Sequence, residues 1–331
     1  SGRARGGPGV IDGETIVYGI LMSFAIVVVL MPAFIRLLKR IGMGKRIRIE
    51  GPETHYAKEG TPAMGGLLVV LVVLGIALVL ELMTGDFLDG STIAPLVTLG
   101  FVGALGTVDD WLNARTGDGI SATQKLLWQT VVAGAAAWQI QNTYEIDQLA
   151  VPFIGAVDIH PVAIILIFAF AIVATSNAVN ITDGLDGLAG GTLIFAFTGY
   201  MVIAFTFGQP NLAELCALII GALLAFLWFN VHPAQIFMGD SGSLALGATL
   251  AVAAIISGQV LLLPFIGLIF VLETGSVILQ VVSVKLRGKR LFKMSPLHHH
   301  FELAGWDEEK ITLRFWIIGA LAALVGVAFY M

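Results

Sequence analysis

The chain has 331 residues, 57% of them hydrophobic and only 12% charged, with a mean hydropathy of +0.91. Soluble domains carry roughly 25% charged residues, so a soluble globule is excluded and lipid must be the solvent. The net charge of −5 says little about partners, because the charges are sorted by side along the chain. No nucleic acid is expected among those partners.

Only helices and closed barrels satisfy their backbone groups inside lipid. The apolar runs here are long and continuous rather than alternating with period two, which selects helices. The fold class expected is therefore an all-α polytopic membrane protein. Residues 1–13, opening on a Gly/Arg-rich stretch with no small-residue cleavage site after the first apolar run, read as a disordered or vector-derived tail. Residues 14–331 read as a single transmembrane domain.

Ten apolar segments follow at 14–38, 63–84, 92–108, 124–143, 161–181, 188–207, 211–230, 242–258, 260–284 and 311–330. Pro32, Pro95 and Pro264 interrupt three of them, which membrane helices tolerate. The stretch 144–160, with Pro152 and Gly155 among alternating apolar residues, suits a small hairpin. Segment 260–284 carries Pro264, Gly267, Glu273 and Gly275, and is expected to be bent or broken, leaving a lipid-facing groove. An ordinary tilted helix is the alternative there. Cys216, the only cysteine, lies in an apolar run and excludes an intrachain disulfide.

Basic residues set the orientation. Loops 36–58, 109–125 and 285–314 hold sixteen of the eighteen Lys and Arg, whereas the opposite loops hold none and carry acids. That alternation requires an even number of spans and puts both termini on the outer side.

Nearly all residues capable of chemistry lie on the inner side. Adjacent helical residues point about 100° apart, so Asp109 and Asp110 suit two different jobs unless the helix ends there. One would face a metal while the other takes a proton. Asn177, Asn180 and Asp183 recur every three residues and share a helix face. Interhelical polar bonding explains the asparagines well and the aspartates, including Asp186, badly. Asp240, flanked by Gly239 and Ser241, is either a helix cap or a ligand for Mg²⁺, which favours carboxylate oxygens. The run His298, His299 and His300 lacks zinc spacing and reads better, near Lys125, as hydrogen-bond donors to phosphate. Acids for a metal beside cations for phosphates make the equipment of phosphoryl transfer. A phosphate-binding P-loop motif is absent.

These segments, in order, resemble the polyprenyl-phosphate N-acetylhexosamine-1-phosphate transferase superfamily. The resemblance rests on Asp109-Asp110, Asn180-Ile-Thr-Asp183-Gly-Leu-Asp186-Gly and Gly239-Asp240-Ser-Gly-Ser. Pro296-Leu-His-His-His-Phe-Glu302 and Gly60-Thr-Pro-Ala-Met-Gly-Gly66 make it similar to the phospho-N-acetylmuramoyl-pentapeptide transferase (MraY) family. Ala63 stands where that family commonly has Thr. The resemblance implies a bacterial inner-membrane enzyme with its site facing the cytoplasm. It would take UDP-MurNAc-pentapeptide and undecaprenyl phosphate and release lipid I and UMP, with Mg²⁺ as cofactor. It implies Asp240 as a metal ligand, Asp109 as proton acceptor and Asp110 supporting metal or phosphate. Asn180, Asp183 and Phe237 match uridine-site positions, and Asp186 is expected beside them. Asn230, Lys125 and His298 to His300 would hold pyrophosphate and sugar, and Lys58 would close the nucleotide side. Family members often pair, which implies a homodimer. Direct attack by the lipid phosphate and a covalent phospho-aspartate both remain compatible with these residues.

A secondary transporter is the rival from another class. Transporters, however, place their charges near the midplane, whereas these acids line one face. A sister transferase using UDP-N-acetylglucosamine is the rival within enzymes.

Overall fold

The computed structural model describes residues 13–44, 60–152 and 154–331. Lys58 and the basic residues Lys45, Arg46 and Arg48 lie outside the described residues. The helices are α1 (Gly13–Arg40), α2 (Gly65–Thr84), α3 (Ile93–Thr116), α4 (Ala122–Tyr144), α5 (Pro161–Thr182), α6 (Leu188–Thr206) and α7 (Pro210–Asn230). They continue with α8 (Asp240–Ile256), α9 (Leu263–Ile266), α10 (Leu268–Arg287), α11 (Leu297–Glu302) and α12 (Glu308–Tyr330). The expected hairpin is present as antiparallel β1 (Gln148–Val151) and β2 (Gly155–Asp158).

Every apolar segment of the sequence coincides with a helix. Among the described residues, eight helices are long and apolar enough to cross a membrane. Of the remaining two expected spans, α8 is apolar but has only 17 residues, and α4 is diluted by Lys125 and several glutamines. The outer surface is hydrocarbon: Val29, Phe170, Leu82 and Leu286 are each more than 70% exposed. In water that surface would be an aggregation liability; in a bilayer it is the solvated face. The chain is an all-α polytopic membrane protein.

α8 is the centre of the bundle. From Ser241 to Ile256 every residue is buried, and α3 and α5 pack most extensively against it. Such contact needs small residues, because lipid gives helices no hydrophobic reason to associate and close packing must do so. Gly106 of α3 is one such point: a Cβ there would collide with the Asp240 carbonyl. Elsewhere α1 packs on α7, and α6 on α7 and α12.

Segment 260–284 is broken, as its Pro and Gly suggest. A 3₁₀ turn at Val260–Leu262 leads into the four-residue α9, and the chain breaks at Gly267 before α10 begins. α3 departs from the sequence reading in its length. It runs to Thr116 instead of stopping near 108, because Asn113 and Arg115 continue the helix until Gly117 closes it with φ 86°.

Candidate active site

Three helix ends, the starts of α4 and α8 and the last turn of α5, meet α3 at Asp240. α4 is started by Ser121, whose hydroxyl accepts the Gln124 N–H while the Gln124 side chain accepts the Ser121 N–H. That capping box sets the first turn of the helix bearing Lys125. The ammonium of Lys125 bridges two carboxylates, 2.8 Å from Asp109 Oδ2 and 2.6 Å from Asp240 Oδ2. Asn180 reaches the same centre from the last turn of α5. Its amide donates to Asp240 Oδ1 at 2.8 Å and to Ser243 Oγ at 2.8 Å.

Asp109 and Asp110 divide their work, although the helix does not end there. Asp109 is buried; its Oδ1 accepts the Ile120 N–H at 2.6 Å, tying the α3–α4 loop to the cluster. Asp110 faces the start of α8, accepting the Asp240 and Ser241 N–H groups at 3.0 Å each. Here is the helix cap that Asp240 itself might have been. The anion sits where the free N–H groups and the positive end of the dipole favour it. Asp240, relieved of capping, turns its carboxylate to Lys125 and Asn180.

The motif at 60–66 is strapped to this centre by the backbone. Phe237 N–H donates to Pro62 carbonyl at 2.8 Å. In return Gly65 N–H donates to Phe237 carbonyl at 2.8 Å and Gly66 N–H to Met238 carbonyl at 2.9 Å. Between these parts lies a cleft of about 230 Å³, lined by residues including Asp110, Asn113, Asn180, Asp183, Phe237 and Asp240. Ala63 lines it too, so the residue that departs from the family pattern faces the ligand space.

Ligand oxygens of Asp109, Asp110 and Asp240 all lie within 4.8 Å of one another. Three carboxylates against one ammonium leave a formal excess of negative charge. The donors are hard oxygens, which suit a divalent cation such as Mg²⁺. Lys125 already shows that a cation fits between two of them.

Several sequence-expected residues stand elsewhere. Asp186 does not line the cleft: its Oδ2 bonds His232 Nδ1 at 3.0 Å and accepts the Ala234 N–H at 3.1 Å. Asn230 is buried, its amide donating to Ile236 carbonyl and accepting the Gly187 N–H, so it braces the loop that carries Phe237. His298 is buried against Glu273, His299 bonds Glu302, and His300 accepts the Lys293 N–H. None of the three lines the cleft. Asn177 donates to Gln129 on α4, the interhelical bond anticipated for it. Ser243, Asn113 and Glu273 were not singled out for the site; Ser243 was at least visible within the Gly-Asp-Ser-Gly-Ser motif.

Comparison with known proteins covers the residues that carry these motifs. The model of Glycosyl transferase family 4 matches residues 92–258, which include Asp109, Lys125, Asn180 and Asp240. A phospho-N-acetylmuramoyl-pentapeptide-transferase of Geobacillus sp. (strain WCH70) is 43% identical over 319 residues, covering 95% of this chain and 97% of that protein. Proteins of the same name from Halalkalibacterium halodurans and Bacillus subtilis are 43% and 40% identical. They cover 93% and 95% of this chain, and 95% and 97% of their own lengths. This chain belongs to the phospho-N-acetylmuramoyl-pentapeptide-transferase family.

As a family member the chain is an enzyme, a phosphoglycosyl transferase. For such a transferase the geometry has a direct meaning. Asp240 and Asn180 of this centre line the cleft, their partners Lys125 and Asp109 do not, and Phe237 supplies the cleft with an aromatic wall.

Proposed function

We propose that the protein transfers phospho-MurNAc-pentapeptide from UDP-MurNAc-pentapeptide to undecaprenyl phosphate, yielding lipid I and UMP. The reaction takes place at the cytoplasmic face of a bacterial inner membrane, which ten spans with both termini outside would present. One observation carries the reading: Lys125 joins Asp109 to Asp240, and Asp240 lines a cleft together with Asn180, Asp183 and Phe237.

In this reaction a lipid phosphate oxygen forms a bond to the sugar-bearing phosphorus of the donor. The bond from that phosphorus to the bridging oxygen breaks, and UMP departs with the electron pair. Direct attack needs no covalent enzyme intermediate, because a phosphate monoester is already nucleophilic. Asp109, beside the ammonium, accepts the proton of a protonated lipid phosphate. Lys125 balances charge that builds on the transferring phosphoryl oxygens, as preorganised cations do in such sites. Asp183 and Phe237 hold the uridine, Phe237 by stacking. Asp240, with Asp110, would hold Mg²⁺, and both retain lone pairs beyond those already bonded. When bound, the metal supplies neutralisation of the diphosphate charge. The break at Gly267 and the exposed face of α10, with Ile278, Leu279 and Val282 bare, suit the polyprenyl chain.

The test is UMP release from purified protein given UDP-MurNAc-pentapeptide, undecaprenyl phosphate and Mg²⁺. Release that needs all three supports the reading. Turnover with UDP-N-acetylglucosamine instead would move the protein to the sister activity, and silence with both donors would sink the proposal.

A further inference from the structure

Two hollows flank α4 and share one side chain, Trp138. One, of about 470 Å³, lies between α3 and α4 and is walled mainly by apolar residues such as Val97, Phe101 and Trp128. The other, of about 450 Å³, lies between α4 and α5 at the end of α4 away from Lys125, and holds Gln141, Glu145 and Asp147. Both are of a size that takes an organic ligand, and neither shares a residue with the cleft at Asp240. An exposed tryptophan between an apolar and a polar hollow is what a membrane–water boundary favours.

The polar hollow offers acceptors and lacks a cation. Gln141 is buried, and its Nε2 donates to the Ile146 carbonyl at 2.7 Å. That bond fixes the other amide atom, Oε1, as a carbonyl acceptor, and Oε1 has no hydrogen-bond partner. Glu145 and Asp147 add two carboxylates to the same lining. No Lys or Arg occurs between Lys58 and Arg115 or between Lys125 and Lys285, so loops 85–92 and 145–160 hold none. In the apolar hollow Thr98 presents a similar case. Thr107 and Thr130 donate to the carbonyl four residues back, but the buried Thr98 hydroxyl has no partner. Buried polar atoms are nearly always paired, so two exceptions in adjoining linings call for an explanation.

We infer that these hollows bind a membrane lipid with a primary ammonium headgroup, of the phosphatidylethanolamine type, from the leaflet opposite the Asp240 centre. The ammonium donates to Gln141 Oε1 and lies between the carboxylates of Glu145 and Asp147, three N–H groups for three acceptors. One acyl chain crosses Trp138 into the apolar hollow, where the Thr98 hydroxyl donates to an ester carbonyl. From Trp138 to Trp128 the helix rises about 15 Å, half of the roughly 30 Å of hydrocarbon and so the depth of one leaflet. An anionic lipid would meet two carboxylates with no cation to offset them. A choline headgroup would bring the charge but no N–H for Oε1. The site does not depend on the transferase reading.

The experiment measures lipid retained on the whole chain by native mass spectrometry. The probes are phosphatidylethanolamine, its N,N-dimethyl derivative, phosphatidylcholine and phosphatidylglycerol, all with the same acyl chains. Phosphatidylethanolamine should bind about 10-fold tighter than phosphatidylcholine, the scale of one hydrogen bond to a charged group, with the dimethyl lipid between them. Glu145→Gln combined with Asp147→Asn changes two exposed side chains and should leave the gel-filtration profile and melting temperature of the lipid-free protein unchanged. In that variant the preference should fall below about 2-fold. Trp138→Ala should weaken both lipids and leave their ratio as it was. Equal binding of phosphatidylethanolamine and phosphatidylcholine to the wild type, or tighter binding of phosphatidylglycerol, would overturn the inference. So would a preference that survives in the folded double variant. Retention abolished by EDTA would assign the acids to a divalent cation bridging to the lipid phosphate, and would overturn the ammonium assignment.

Discussion

Asp240 and Asp186 both stand at the start of a helix, one opening α8 and the other just ahead of α6. Each gathers two further side chains whose ligand atoms lie within 4.8 Å: Asp109 and Asp110 around Asp240, His232 and Glu308 around Asp186. Composition and spacing make them look alike, but their bonds differ. Around Asp240 another residue, Asp110, caps the helix, and the carboxylate turns to Lys125 and Asn180 at the edge of a cleft. Around Asp186 the carboxylate is taken up by Ala234 N–H and His232, while Glu308 accepts the Asp186 N–H at 2.6 Å. The lesson is that a carboxylate at a helix start is free to face other side chains only when another group meets the local backbone demand.

The largest effect should come from the centre that faces the cleft. Asp240→Asn is expected to lower UMP release by about 10³-fold or more, the scale of losing a principal electrostatic group. Its gel-filtration profile should match the wild type. An equal loss on changing Asp186, in a variant just as stable, would erase the distinction between the clusters.

Chelation probes the same contrast without mutation. EDTA should abolish turnover and added Mg²⁺ restore it, with the same Mg²⁺ requirement in wild type and in an Asp186→Ala variant. A changed requirement in that variant would place the metal at the wrong cluster.

Lys125→Met comes next, at about 10²-fold in kcat. It leaves Asp109 and Asp240 without the ammonium they share. Lys125→Arg should not restore full rate, because a planar guanidinium does not replace a compact point charge between two carboxylates. Full activity in the arginine variant would show that only net charge matters there.

Asp186→Ala should have the smallest effect on chemistry and a visible one on stability. Removing the acceptor for Ala234 N–H and His232 costs on the order of 1–3 kcal/mol, read as a lower melting temperature. UMP release, assayed below that temperature, should stay within about 5-fold of wild type.

The helices were legible because each apolar run is long and lipid admits no other spanning form consistent with it. Pro264 and Gly267 foretold the break between α9 and α10, since each interrupts the backbone ladder in its own way. Asp109 and Asp110 take different hydrogen-bond partners, as the 100° step between adjacent helical residues suggests, yet their oxygens still meet within 4.8 Å beside Asp240, which that step did not foretell. The histidine run was legible as chemistry but not as placement: nothing in three consecutive histidines says that the first is buried on Glu273, 25 residues earlier.

By itself, then, the sequence determined the solvent, the helices, the sidedness of charge and the set of polar residues available for reaction. Those follow from local composition and from periodicities within a single element. Tertiary structure alone decided which carboxylate caps α8 and which faces Lys125. It likewise separated Asp186 from Asn180, six residues away, and left His298 Nε2 without a partner. Each of these depends on contacts between residues far apart in the chain, Lys125 with Asp240 or Asp110 with Ser241. Hydrogen-bond partners across helices are set by how small residues such as Gly106 let the helices approach, and spacing along one chain carries no record of that approach.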